Sequence, residues 1–176
     1  LFPVLNISCR MGLFLKKILI FIVPFIILVA LEVMIDPFNF FSAEKNKKLL
    51  DLKNNLARKK NTYLYRLIEY ERNPYPAIVL GDSRAQRLMP EFFEEVNGEK
   101  VANLAAGAGS LQDVIKIFWD LSSRNKLSKV YIGIAIEGYS GTLLKDRVSA
   151  ALEVKNSAPL YLTSKFTIEN TMLILK

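Results

Sequence analysis

The stretch Ala77-Ile78-Val79-Leu80-Gly81-Asp82-Ser83-Arg84 decides the fold. Its apolar run is too short for a helix. It is bounded upstream by Asn73-Pro74-Tyr75-Pro76 and downstream by glycine, so it reads as a short strand buried on both faces, as in a parallel sheet. Working outward, Lys100 to Ala105 and Lys129 to Ile136 read as a second and a third strand. Between the first two lies a turn and a helix rich in Phe92 and Phe93. Between the second and third, Ser110 can cap a helix whose apolar positions Leu111, Val114, Ile115 and Phe118 follow helical spacing, with Asp113 well placed in its first turn. Strands alternating with helices predict an α/β domain with a mostly parallel sheet. Beyond Gly141 the pattern is helical, from Leu143 to Val154 and again from a Thr163 or Ser164 cap, with Ile168, Met172 and Leu175 on one face. Three strands and an uncapped last helix predict a partial sheet, part of a longer protein.

Upstream, every residue from Ile18 to Leu31 is apolar or Pro24. Extending through Leu13 and Ile35 gives about 23 residues, or roughly 34 Å of helix, enough to span a bilayer. Lys16, Lys17 and Glu32 fall toward its ends, where a charge costs least. A cleaved signal peptide is the alternative, but Leu28-Val29-Ala30 puts a bulky residue where a cleavage site needs a small one, so an uncleaved anchor fits better. Phe38, Phe40 and Phe41 read as an aromatic collar at the interface. Ala43 to Lys60 then reads as a polar helix with Leu49, Leu52 and Leu56 on one face, and Tyr63 to Tyr70 continues the amphipathic pattern. The organisation expected is an N-terminal tail (1–12), a transmembrane helix (13–36), a juxtamembrane stalk (37–72) and the α/β domain (73–176).

The chain has 176 residues, 24 Lys/Arg against 17 Asp/Glu, no histidine and one cysteine, Cys9. The net charge of +7 is concentrated: Glu44 to Lys60 contributes +5, whereas Asn61 to Lys176 contributes +1. A basic segment beside a membrane helix suits either a solvated charged face or anionic lipid headgroups, and the near-neutral domain lacks the basic stripe of a nucleic-acid binder. A single cysteine excludes an intrachain disulfide and a cysteine-based metal site, and the lack of histidine removes the commonest metal ligand. No cofactor or metal is expected. Met11 is a plausible alternative initiator. The positive-inside count does not decide orientation, because Arg10, Lys16 and Lys17 precede the span while Lys45, Lys47, Lys48 and Lys53 follow it.

Gly81-Asp82-Ser83 directly follows the first strand, at the carboxyl end where open α/β sheets place their sites. There a helix N-terminus would support negative charge developing at Ser83, and glycine would allow a sharp turn. After the second strand comes Asn103-Leu104-Ala105-Ala106-Gly107-Ala108-Gly109-Ser110, a small-residue loop whose amides could face an oxyanion. A capped turn and a tight strand-to-helix connection account for the same residues without chemistry.

These two blocks, a strand ending in Gly-Asp-Ser and an Asn-Leu-Ala leading into a glycine-containing loop, resemble SGNH (GDSL-type) hydrolases. The likeness is strongest to membrane-anchored members that act on extracytoplasmic glycans, as in alanylation of teichoic acids or acetylation of exopolysaccharides. It spans Ile78 to Ser140, about a third of the chain. The resemblance implies a three-layer α/β/α, flavodoxin-like fold, Ser83 as nucleophile, Asp82 shaping the turn, and an oxyanion hole from the Ser83 amide and the Gly107 to Gly109 loop. The family's second-block glycine falls on Ala108, and Arg84 stands where the family usually has leucine. The third block, normally an asparagine, is here Glu137-Gly138-Tyr139-Ser140. The fourth, an Asp two residues before a His, has no counterpart, and a serine without its base loses several orders of magnitude in rate.

The expectation is a single-pass, membrane-anchored esterase or acyltransferase with an extracytoplasmic domain, inactive as written. Its partners would be membrane lipid and a cell-envelope polysaccharide or an acyl-donor membrane protein, and not nucleic acid. The alternative is a non-catalytic envelope protein that binds glycan or partner proteins.

Overall fold

The computed structural model describes residues 5–42, 44–124, 126–133 and 146–176, with side chains from residue 14 onward. The protein is mixed α/β and mostly helical, with a small parallel sheet and one apolar N-terminal helix. That helix, α1 (Leu5–Ile35), holds a segment Phe14–Ile35 long and apolar enough to cross a membrane. Apart from Glu32, which is fully buried, its described side chains are exposed or at most half-buried.

α1 ends because Asp36 turns to φ 44°, a left-handed conformation uncommon outside glycine that asparagine and aspartate tolerate best. The turn wraps the chain around the Asp36 carboxylate. Oδ1 accepts from Phe40 N (2.6 Å) and from the Tyr161 hydroxyl (2.7 Å), and Oδ2 accepts from Phe41 N (2.8 Å) and Ser42 N (3.1 Å). The same Tyr161 oxygen accepts from Phe38 N at 3.2 Å. Phe40 stacks on the Tyr161 ring at 4.4 Å, and Phe38 and Phe41 meet it edge-on. Phe38 and Phe40 are therefore not part of an outward collar, and of the three phenylalanines Phe41 alone is exposed. Phe38 is buried and Phe40 half-buried because both rings pack around a tyrosine that arrives from far along the chain. Burial and the adjacent carboxylate push the Tyr161 phenol well above its usual pKa.

α2 (Lys47–Lys60) is capped by Asn46, and α3 (Thr62–Arg72) by Asn61. On α2, Leu49 and Leu56 are half-buried and Leu52 is exposed, while Lys53 and Ala57 take the buried positions. The α3 residues Tyr63, Leu64, Tyr65, Leu67, Ile68 and Tyr70 are buried in the same cluster as the sheet residues Ile78 and Leu80. A stalk would leave such side chains in water; this helix is instead one wall of the core.

The strands are β1 (Ala77–Gly81), β2 (Val101–Asn103) and β3 (Lys129–Gly133), all parallel in the order β2-β1-β3. Ala77 pairs with Val101 on one side and with Lys129 on the other. β1 is central and buried throughout, which explains its unbroken apolar run. Parallel neighbours need crossovers. α4 (Pro90–Asn97) covers one face, setting Phe93 against Ala77, Val79, Val101 and Tyr131. α5 (Leu111–Ser122) covers the other, with Val114, Ile117 and Leu121 in the cluster of Ile78 and Leu80. Ser110 and Asp113 form a capping box at the start of α5. The third strand is described only to Gly133. Residues 134–145, which include the third sequence block at Glu137 to Ser140, lie outside the described residues.

Three short helices follow: α6 (Ser149–Lys155), α7 (Ala158–Thr163) and α8 (Lys165–Ile174). α6 brings Lys155, whose side chain is 1% exposed, between Glu71 of α3 and Asp120 of α5, the latter at 3.0 Å. α8 packs against α1, α2 and α7 with Thr167, Asn170 and Thr171 on its buried face. Among the described residues, the buried side-chain atoms lacking a hydrogen-bond partner are both Glu32 carboxylate oxygens, Asn170 Oδ1 and Thr171 Oγ1.

Two outcomes follow from these contacts. Tyr161→Phe keeps the ring but loses two hydrogen bonds, one to a carboxylate, and is expected to destabilise the protein by about 2 kcal/mol in chemical denaturation. Asp146 bonds Lys116 Nζ (2.6 Å) and Ser149 N (3.0 Å), and these hold its carboxyl well below the usual range. Its contribution is complete above the ordinary carboxylate value of 3.8 and is lost as pH falls through the lower folded value. Asp146→Asn is therefore expected to flatten the acid limb of a thermal-unfolding pH series.

Candidate functional site

The site is built from the carboxyl ends of β1 and β2. Chain order sends the connection after β1 to one side of the sheet and the connection after β2 to the other. Open α/β sheets bind ligands outside the carboxyl ends of their strands.

Gly81 closes β1 with φ +146°, and a Cβ there would lie 2.0 Å from Gly133 O. No side chain fits, so the backbone of β1 and β3 can close together at their ends. Asp82 continues the contact, its N–H donating to Gly133 O at 3.0 Å, and its Oδ1 accepts from Arg84 N at 2.8 Å. That second bond makes a compact turn with Ser83 at its tip. Ser83 is exposed, and its hydroxyl has no hydrogen-bond partner among the described residues. Arg84 is also exposed.

No helix starts at Ser83. The chain makes a three-residue 3-10 turn, Ala85–Arg87, and α4 begins only at Pro90. The reason is local: Asp82 takes Arg84 N into the turn, and Pro90 favours the first helical position. Helix-dipole support at Ser83, expected from the sequence, is thus absent.

The loop after β2 comes alongside. Leu104 N donates to Val79 O (2.8 Å) and Ala106 N to Gly81 O (3.2 Å), so this segment runs on beside β1. Ala106 O then accepts from Gly109 N at 3.1 Å, closing a tight turn over Gly107 and Ala108. Gly109 packs so closely that a Cβ would fall 2.6 Å from Gly81 O and 2.8 Å from the Tyr63 hydroxyl. Its amide is committed to Ala106. The exposed amides of the loop are those of Gly107 and Ala108, which have no partner among the described residues. Ala108 takes φ 58°, the conformation a glycine would adopt without strain.

Two residues to which the sequence reading gave no role hold this loop. Asn103 Nδ2 donates to Ala85 O (2.8 Å) and Leu88 O (2.6 Å), while its Oδ1 accepts from Ala105 N (3.0 Å). One side chain thereby staples the turn after β1 to the loop after β2. Arg66, from α3, donates through Nη1 to Asn103 O (2.7 Å), to Asn103 Oδ1 (3.0 Å) and to Ala105 O. Burial is the main cause of a lowered guanidinium pKa there. The available signal was a lone arginine inside the apolar run Tyr63-Leu64-Tyr65-Arg66-Leu67-Ile68. Beneath Gly109, burial first and the nearby Asp113 carboxylate second push the Tyr63 phenol far above its usual value, so it stays protonated.

A cleft of about 730 Å³ runs along the outer edge of β2, between α3 and the segment from the 3-10 turn to α4. Arg66, Glu69, Tyr75, Gln86, Arg87 and Asn103 are among its walls; Ser83 is not. Gln86 links the two regions, its Oε1 lying 3.4 Å from where a Gly107 Cβ would stand. Among the described residues no group of three or more Cys, His, Asp or Glu side chains could hold a metal ion.

The two strand-end loops thus expose a hydroxyl on one turn and two amides on the other, and the chain has no histidine whose imidazole could take the hydroxyl proton. Comparison of the chain with protein-family models, with curated proteins and with solved structures found no match.

Ala108→Gly is expected to stabilise the protein by about 0.5–1 kcal/mol, the relief of a left-handed alanine less the entropy glycine brings to the unfolded chain. A denaturant midpoint compared with the parent checks the sign.

Proposed function

We propose that this is a membrane-anchored SGNH-type domain, of the three-layer flavodoxin-like class, whose Ser83 takes part in acyl-ester chemistry on a cell-envelope glycan or lipid. One observation carries the reading: Ser83 is exposed at the tip of the turn closing β1, and the loop after β2, hydrogen-bonded to the end of that strand at Gly81 O, carries two unengaged amides. The strand order β2-β1-β3 agrees with the start of a flavodoxin-like sheet. α1 anchors the domain, which lies on the extracytoplasmic side, and an acyl-donor membrane protein supplies the group to be transferred.

In this reading Ser83 Oγ attacks an acyl carbonyl while giving up its proton, and the Gly107 and Ala108 amides face the developing oxyanion. Collapse of the tetrahedral intermediate breaks the ester bond and releases the reprotonated alcohol of the donor. A glycan hydroxyl or water then attacks the acyl-serine and frees Ser83. Asp82 keeps the turn, Asn103 and Arg66 keep the loop, and none of the three moves a proton. The Ser83 proton passes to a general base, a role for which the chain offers lysines and carboxylates but no histidine.

The second reading, a non-catalytic glycan or protein binder, is favoured by the lack of histidine and by the cleft beside β2. Prolonged incubation of the protein with a fluorophosphonate probe separates the two. Slow labelling that disappears in Ser83→Ala is the expected result. An unlabelled protein, or labelling unchanged in that variant, favours the binder.

A further inference from the structure

The basic helix that follows the apolar one is sorted by the structure into used and unused charge. Lys53 is used: its ammonium is buried, bonded to Glu44 Oε2 at 2.9 Å and to Asn39 Oδ1 at 3.5 Å. Arg58 is partly used, lying over the Tyr65 ring at 5.3 Å and bonding its hydroxyl at 3.4 Å. Lys45, Lys47, Lys48, Lys59 and Lys60 are exposed and have no carboxylate partner among the described residues. The single acidic residue of α2 is Asp51.

The contact of Lys53 with Asn39 also fixes where this charge lies. Asn39 is only four residues beyond the end of α1. Lys47 precedes Lys53 by six residues, about 9 Å along a helix. Lys53 thus ties α2 to the turn that follows α1, the junction at which a basic segment beside a membrane helix meets a charged bilayer surface. Lys48, Leu52, Asn55 and Lys59 form one exposed stripe, and Leu52 is 43% exposed in the middle of it. Lysine stems flanking an exposed leucine suit the boundary between headgroups and acyl chains.

We propose that this basic segment, Lys45 and Lys47 together with the exposed Lys48 to Lys59 stripe of α2, is a docking surface for anionic lipid headgroups, holding the domain against the membrane. The inference rests on α1 crossing the bilayer. Continuity with α1 selects lipid phosphate over the phosphates of a nucleic acid.

The test uses the whole chain carrying Cys9→Ser and a nitroxide at Asn55→Cys, in lipid nanodiscs of phosphatidylcholine with or without phosphatidylglycerol. Collision with a water-soluble nickel complex reads exposure of the label. The expected result is a several-fold lower collision rate in discs containing phosphatidylglycerol, reversed by high salt, with Lys47→Glu and Lys48→Glu each weakening the effect about fivefold. Equal rates in the two kinds of disc overturn the proposal, and so does a decrease that ignores salt and both substitutions. Shielding by added duplex DNA in phosphatidylcholine discs would reassign the surface to nucleic acid. A chain that fails to enter discs of either kind refutes the spanning role of α1 itself, a failure distinct from the others.

Discussion

The Asp36 carboxylate is the constraint on which the rest of the molecule depends. A buried carboxylate needs several donors, and three of its four come from the backbone of residues 40 to 42 curling back on themselves. The fourth, the Tyr161 hydroxyl, lies 125 residues further on. Satisfying one charge thus bends the chain at the end of α1 and brings the C-terminal helices back to its base. One turn earlier, Glu32 is buried without such help, as are Asn170 Oδ1 and Thr171 Oγ1 on a helix packed against α1. The contrast marks this junction as polar on both sides, well supplied with donors at Asp36 and short of them at Glu32.

At the other end of the sheet, backbone rather than side chains sets the geometry. Gly81 permits close approach to Gly133, Gly109 permits close approach to Gly81, and Asn103 ties the two loops while Arg66 ties Asn103 to α3. The exposed hydroxyl of Ser83 is a product of this packing. Its neighbours are held from below, by the helix that precedes the sheet in sequence.

Much of this was legible in the residues. The central strand β1 was, because a parallel strand buried on both faces reads as an apolar run, and the start of α5 was, because Ser110 and Asp113 carry a capping signature. The status of α3 was not: its tyrosines and leucines gave an amphipathic period, but period alone does not say whether the apolar face meets a core or a partner. The roles of Asn103 and Arg66 depend on contacts separated by 15 or more residues, and the Asp36–Tyr161 bond spans most of the chain. The turn after Ser83 was misread as a helix start because Asp82 supports either geometry, and only Pro90 settles where the helix begins. The aromatic run at residues 38–41 carried the right composition for an interface, yet its partner was a ring no local window contains.

The joint at Asp36 has a mechanical consequence. Two hydrogen bonds and three ring contacts tie the first residues after α1 to Tyr161, and three more hydrogen bonds tie residues 40 to 42 to Asp36, so the turn is braced both locally and from far along the chain. Bracing of this kind favours a lean of α1 being passed to α7 and α8, the helices packed at its base, over its being taken up within residues 36 to 42.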